Sequence, residues 1–356
     1  MRASKLNGFS GAKTMIKRLV VLQHGSHGTH MDLGCVSQCL EALDPSTVVW
    51  QTGCNERHFT DDGIIPCGER LASDLMDEIR NLCSAPQSSD NGDDMGGEEP
   101  VLHISFICYS MGGLIVREAL PRLYSAIERE EDKLQVEWKM YCTIATPHLG
   151  VRQMPSPIRY YVGRLLAYVY STSYGDMFLH SNVLTERLLS ERHLACLAAF
   201  KRRLVVSSVN DILVPLLSSG LMLPPSEREP QDGVQKNDEK NFCAFTEDEM
   251  RDKLVRITEV REDQWHTNRF PEERKMAMTL LQGAGSFDSI VVDLRRPDLD
   301  EVYRDGDSRK ALAYRGAHKR SHQAIVCKPP MNEVEEAFRF VSQMVAKEVL
   351  AAFLDE

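Results

Sequence analysis

The stretch "FICYSMGGLIVREAL", residues 106–120, decides how this chain is read. An apolar run stops at Ser110, two glycines follow, and a helical pattern begins. A buried strand that turns sharply into a helix lifts the corner side chain clear of the sheet, where a base can reach it. A serine hydroxyl needs such a base, because it is a poor nucleophile until its proton is removed. The neighbours two residues away on either side must be small, since strand and helix converge there. Cys108-Tyr109-Ser110-Met111-Gly112 fits the G-x-S-x-G pattern except at its first position. Cys108 carries a Cβ, so the turn is expected to be slightly strained or opened. The helix N-terminus would aim backbone N–H groups at developing negative charge. The competing reading is a buried strand followed by any helix that opens on glycine.

Outward from this corner, strand and helix patterns alternate. "RLVVLQHG" (18–25), "TVVWQT" (47–52), "VLHISFICYS" (101–110), "WKMYCTIATPH" (138–148), "RRLVVSSVND" (202–211) and "DSIVVDL" (288–294) read as strands. Residues 32–43, 67–82, 112–124, 155–200 and 331–354 read as helical. Such alternation predicts an α/β fold with a mostly parallel sheet and helices on both faces. Ligands bind such sheets at the carboxyl ends of the strands. Ser110, His24-Gly25 and Asp211 all fall at strand ends and so should share one rim.

An oxyanion site needs N–H groups from two places. The loop "HGSHGTHMDL" (24–33) offers one set, with His24 and Gly25 at its turn; the expected donors are the backbone N–H groups of Ser26 and Met111. His24, His27 and His30 also form a row that invites a metal reading. Gly25 and Gly28 break any helix that would align them, so no metal site is expected. The acid and base should follow Ser110 in the order Asp, His. Asp211 stands at a strand end before Pro215. His318 and His322 both come late; Lys319 and Arg320 flank His318 and would depress its basicity, which favours His322.

The bulk properties set limits. The 356 residues are 42% hydrophobic and 26% charged, an ordinary globular composition that can bury a core without staples. A net charge of −10 argues against a nucleic-acid partner. The ten cysteines are scattered with no CxxC pair, as expected in a reducing, cytoplasmic setting. The polar, basic residues 1–17 read as a tail rather than a secretory signal. No run of about 18 apolar residues occurs, so membrane contact would be peripheral. Residues 18–354 are expected to form one domain, with 151–200 as a lid or cap and 224–263 as a charged insertion.

"VLQHGSHGTHMDL", "GCNERHFTDDGIIPCGERLASDLMDEI", "HISFICYSMGGLIVREAL", "IATPHLGV", "FKRRLVVSSVNDILVP" and "SHQAIV" together resemble the lipase-like serine esterases of the α/β-hydrolase superfamily. The resemblance covers roughly residues 18–330. It implies an α/β-hydrolase fold and an esterase or lipase acting on acyl-ester lipids without a cofactor. A lipid-droplet or membrane surface is an implied partner. By position, Ser110 matches the nucleophile, Asp211 the acid, His322 the base and His24-Gly25 the oxyanion loop. Thr146-Pro147-His148 matches a strand end of structural role. Cys108, Tyr109, Met111 and Ser26 depart from the usual residues.

The same triad would equally serve a thioesterase or an acyltransferase. The altered elbow also admits a weakly active lipid-binding module. Within 157–170, Ile158, Tyr161, Val162, Leu165 and Val169 fall on one helix face, bordered by tyrosines and arginines, which suits either a lipid boundary or a packed cap.

Overall fold

The computed structural model describes residues 16–84, 101–130, 134–153, 161, 165, 171–209, 211–223, 254–257, 259–260, 262, 265, 270–292, 294, 321–329 and 339–354. Its frame is a seven-stranded sheet: β1 (Ile16–Gln23), β2 (Val48–Gln51), β3 (Val101–Tyr109), β4 (Gln135–Ile144), β5 (Arg202–Ser208), β6 (Leu254–Ile257) and β7 (Asp288–Val292). The spatial order is β2-β1-β3-β4-β5-β7-β6. Every pairing is parallel except β6 with β7.

The six parallel strands correspond to the six apolar runs. A strand covered on both faces has no solvent side and therefore no polar alternation. Alternate residues of β1 and β3 serve opposite faces. Leu19, Val21, Leu102, Ile104, Phe106 and Cys108 join one core, and Val20, Leu22, Ile107 and Tyr109 join the other. Helices α2 (Ile64–Ser84), α3 (Gly112–Glu128), α4 (Glu191–Ala198) and α5 (Pro271–Ala284) cover the first face. Helices α1 (Gly34–Leu43) and α6 (Arg339–Ala352) cover the second.

The segment expected to be a charged insertion ends differently. Its last part supplies β6, which adds an antiparallel edge to the sheet. Residues 224–253 lie outside the described residues, as do residues 1–15 of the expected tail 1–17, His318 and residues 331–338 of the expected closing helix, whereas Ile16 and Lys17 of that tail open β1, paired with Val101 and Leu102 of β3. Of the stretch 154–170 only Tyr161 and Leu165 are described, both exposed. The rest of 171–200 is helical in short pieces, Thr172–Met177, Val183–Arg187 and α4.

The α2–α3 crossing is close because Gly68 lies over Glu118. The Glu118 carboxylate is buried and accepts hydrogen bonds from Arg187 at 2.6 and 2.8 Å, and pairs with His193 at 3.2 Å. A Cβ at position 68 would stand 2.5 Å from Glu118 Cγ and 3.1 Å from the Ala119 nitrogen. Gly68→Ala is expected to destabilise the fold by about 1–3 kcal/mol, the usual range for overpacking, read from the urea midpoint at unchanged slope. An unchanged midpoint would mean that the crossing has slack.

Candidate active site

β3 ends at Tyr109, α3 starts at Gly112, and Ser110 sits between them at φ +53°. A left-handed backbone is uncommon for a residue with a side chain and marks strain at a tight corner. The corner is held by its neighbours. Ser110 N donates to the Ile144 carbonyl at 2.8 Å, and Thr146 Oγ1 donates to the Ser110 carbonyl at 2.7 Å. Cys108 does not open the turn: β3 stays paired with β4 through Tyr109 and Ile144, and the Cys108 side chain is fully buried.

Two glycines allow the approach. A Cβ at Gly112 would lie 2.4 Å from the Gln23 carbonyl oxygen, and one at Gly25 would lie 2.6 Å from Ser110 Cβ. The end of β1 and the loop after it can therefore rest against the elbow.

Around Ser110 three expected residues come together. Ser110 Oγ is 2.9 Å from His322 Nε2, and His322 Nδ1 is 2.6 Å from Asp211 Oδ2. Asp211 is buried, and its other oxygen accepts from the backbone nitrogens of Leu213 at 2.8 Å and Val214 at 3.0 Å. The carboxylate is thus fixed from both sides, and the imidazole is fixed by it. His322 belongs to a single helical turn, Ser321–Ala324, whose following residues Ile325, Val326 and Cys327 are buried in the second core. Its carbonyl accepts a hydrogen bond from Tyr109 Oη at 2.8 Å. Lys328 pairs with Asp32 of the loop after β1 at 2.5 Å, tying that loop to the histidine segment.

The loop itself is clamped by residues 57–62. His27 N donates to Thr60 Oγ1 at 2.9 Å, His27 Nε2 lies 2.8 Å from Asp61 Oδ1, and Arg57 N donates to the Gly28 carbonyl at 2.8 Å. His30 pairs with Glu56. His27, His30 and His24 thus engage separate partners, and no three-residue metal-binding group occurs among the described residues. Ser26 Oγ is buried without a hydrogen-bond partner among the described residues. Thr60, Asp61, Glu56 and Tyr109 also take part in this rim without a sequence signal of their own. Their contacts join segments distant in the chain, and no local pattern announces them.

The family described as "Putative serine esterase (DUF676)" matches residues 14–221, more than half of the chain. The chain belongs to this serine esterase family. With the strand order above, its fold is the α/β-hydrolase fold. No curated protein matches the chain. Among solved structures it is similar to phospholipase PlaB from Legionella pneumophila, at 17% identity over 58% of this chain and 44% of that one, with a TM-score of 0.38. It is similar to Aspergillus fumigatus lipase B, at 13% identity over 57% and 40% with a TM-score of 0.35. Carboxyl esterase 2 from Tuber melanosporum gives 9% identity over 95% and 80% with a TM-score of 0.43. The chain spans less than half the length of the first two. Likenesses this distant carry no inference about substrate.

Two buried imidazoles near the elbow are held neutral. Burial pushes His24 below its ordinary value and His148 well below it. A group whose folded pKa is depressed contributes stability that is present above its unfolded pKa and lost as pH falls through it. The window therefore opens below about pH 6.5, with each histidine costing up to about 1.4 kcal/mol per pH unit. His148→Gln is expected to reduce the acid slope of unfolding free energy by close to one proton's worth. An unchanged slope would mean that His148 takes up its proton without unfolding.

Proposed function

We propose that this chain hydrolyses acyl esters, with lipid esters as its substrate class, through Ser110, His322 and Asp211. The observation that carries the reading is the continuous hydrogen-bonded chain from Ser110 Oγ through His322 to Asp211 at 2.9 and 2.6 Å. Ser110 Oγ attacks the acyl carbonyl carbon while its proton passes to His322 Nε2. Asp211 holds the opposite nitrogen protonated and offsets the imidazolium charge. His322 then gives its proton to the leaving alcohol, and the Ser110 ester remains. A water gives its proton to the same nitrogen as it attacks that ester, and His322 passes that proton to Ser110 Oγ as the acid leaves.

The oxyanion is assigned to the backbone N–H groups of Ser26 and Met111, brought within reach by the close approach of Gly25 to Ser110. His24 is assigned to the floor of this loop: its Nδ1 lies 3.0 Å from the Gly25 carbonyl oxygen. No metal or cofactor is assigned to the reaction.

Family membership supports ester hydrolysis, and the lipid assignment draws on Tyr161 and Leu165, which are 69% and 65% exposed and four residues apart. We assign them to a cap spanning 151–200 that meets a lipid surface. Among the described residues no helix is long and apolar enough to cross a membrane, so this contact would be peripheral.

Ser110→Ala and His322→Gln should each lower kcat on a short p-nitrophenyl ester by a factor on the order of 10³ or more, with Tm retained. Near-normal turnover by folded Ser110→Ala would remove the serine from the chemistry. The lipid assignment is tested separately. Tyr161→Asp with Leu165→Asp should weaken both binding to and hydrolysis of phospholipid vesicles while leaving the short ester unaffected. Vesicle binding equal to that of the unsubstituted protein would make the segment a fixed cap.

A further inference from the structure

We infer that Tyr109 is a positioning residue for His322: its hydroxyl holds the histidine main chain and its ring flanks the imidazole, so the strand that presents Ser110 also places the base. The inference rests on the hydrolase reading of Ser110 and His322 given above.

The placement follows from strand parity. Cys108 faces the core under α2 and α3, so Tyr109 faces the opposite core, where Ala324, Ile325, Val326 and Cys327 are packed. Ser110, one step further, turns out of the sheet. Consecutive residues of one strand end thus serve the nucleophile and the base, although Tyr109 and His322 are 213 positions apart.

His322 needs this support at its backbone. It lies in one turn of helix, where Ile325 N bonds to the Ser321 carbonyl while Val326 N bonds to the Gln323 carbonyl. The helix therefore does not use the His322 carbonyl, and Tyr109 Oη donates to it at 2.8 Å in buried surroundings. A buried carbonyl left without a donor is unfavourable, so the bond fixes the height of the histidine over the sheet. The tyrosine ring stands 5.1 Å from the imidazole, tilted by 37°. The ring thus packs beside the base while the hydroxyl holds its main chain. Burial also pushes the Tyr109 phenol well above its usual value, so it stays protonated and remains a donor wherever the enzyme works.

The fixing is two-point. Asp211 orients the ring through Nδ1, and Tyr109 holds the main chain behind it. With one point removed, the imidazole is held by Asp211 alone, and neither that bond nor the distance to Ser110 Oγ stays fixed. Small misplacements of a reacting group are costly in rate even when binding is unaffected.

Tyr109→Phe removes one oxygen and keeps the ring. The expected result is a kcat on a short p-nitrophenyl ester lower by roughly tenfold to a hundredfold, at unchanged KM. The His322 Nδ1 proton resonance should move or broaden as its bond to Asp211 loses definition. In the unsubstituted protein, the Tyr109 hydroxyl proton should exchange with solvent slowly. An unchanged kcat, an unchanged Nδ1 resonance or a fast-exchanging hydroxyl would each overturn the inference. The resonance and the exchange rate do not depend on turnover, so they remain decisive even if Ser110→Ala shows the hydrolase reading to be wrong.

Discussion

The sharp corner at Ser110 is the constraint on which the rim of the sheet depends. A strand that ends at Tyr109 and a helix that begins at Gly112 leave two residues to reverse direction, and Ser110 accepts a left-handed backbone to do it. That conformation persists only because the surroundings over-determine it. Ile144 takes the serine N–H, Thr146 binds its carbonyl, and Gln23 and His24 press their carbonyls to within 2.4 and 2.6 Å of where a Gly112 Cβ would stand. Strain at one residue is offset by packing from the ends of two neighbouring strands, β1 and β4.

From the corner, the remaining groups are reached over long chain separations. Asp211 comes from the end of β5, which pairs with β4 and so lies two strands from Ser110. His322 comes from a short turn tied down by the second core, by Tyr109 and by the Lys328–Asp32 pair. These ties matter because a single helical turn has no stability of its own. The loop after β1 is likewise held from outside, by residues 57–62. Positioning on this rim comes from tertiary contacts, and the sheet below supplies a rigid base for them.

The fold was legible where burial on both faces left continuous apolar runs, as in β1, β3, β4 and β5. It was less legible where the element is short or at an edge. β6 has four residues and sits inside a charged stretch, so nothing in its composition separates it from a loop. α5 carries a readable signal in its own sequence: Pro271 at its first turn, Glu272 and Glu273 behind it, and Met276, Ala277 and Leu280 on one face. At the site, the elbow is a local pattern and could be read directly. Asp211 and His322 could be named only by chain order and by resemblance, since a lone aspartate in an Asn-Asp turn is usually just a turn. The Tyr109–His322 and Thr60–His27 contacts left no trace in sequence, because each is one polar side chain meeting a backbone group far away.

The central claim is that Ser110 is made nucleophilic by His322, and covalent capture tests it most directly. The protein is treated with a fluorophosphonate, digested, and the adduct located by mass spectrometry. One adduct per chain on Ser110, lost in His322→Gln while the protein remains folded, is the predicted result. An adduct on a different serine, or labelling of Ser110 at the same rate without His322, would contradict it.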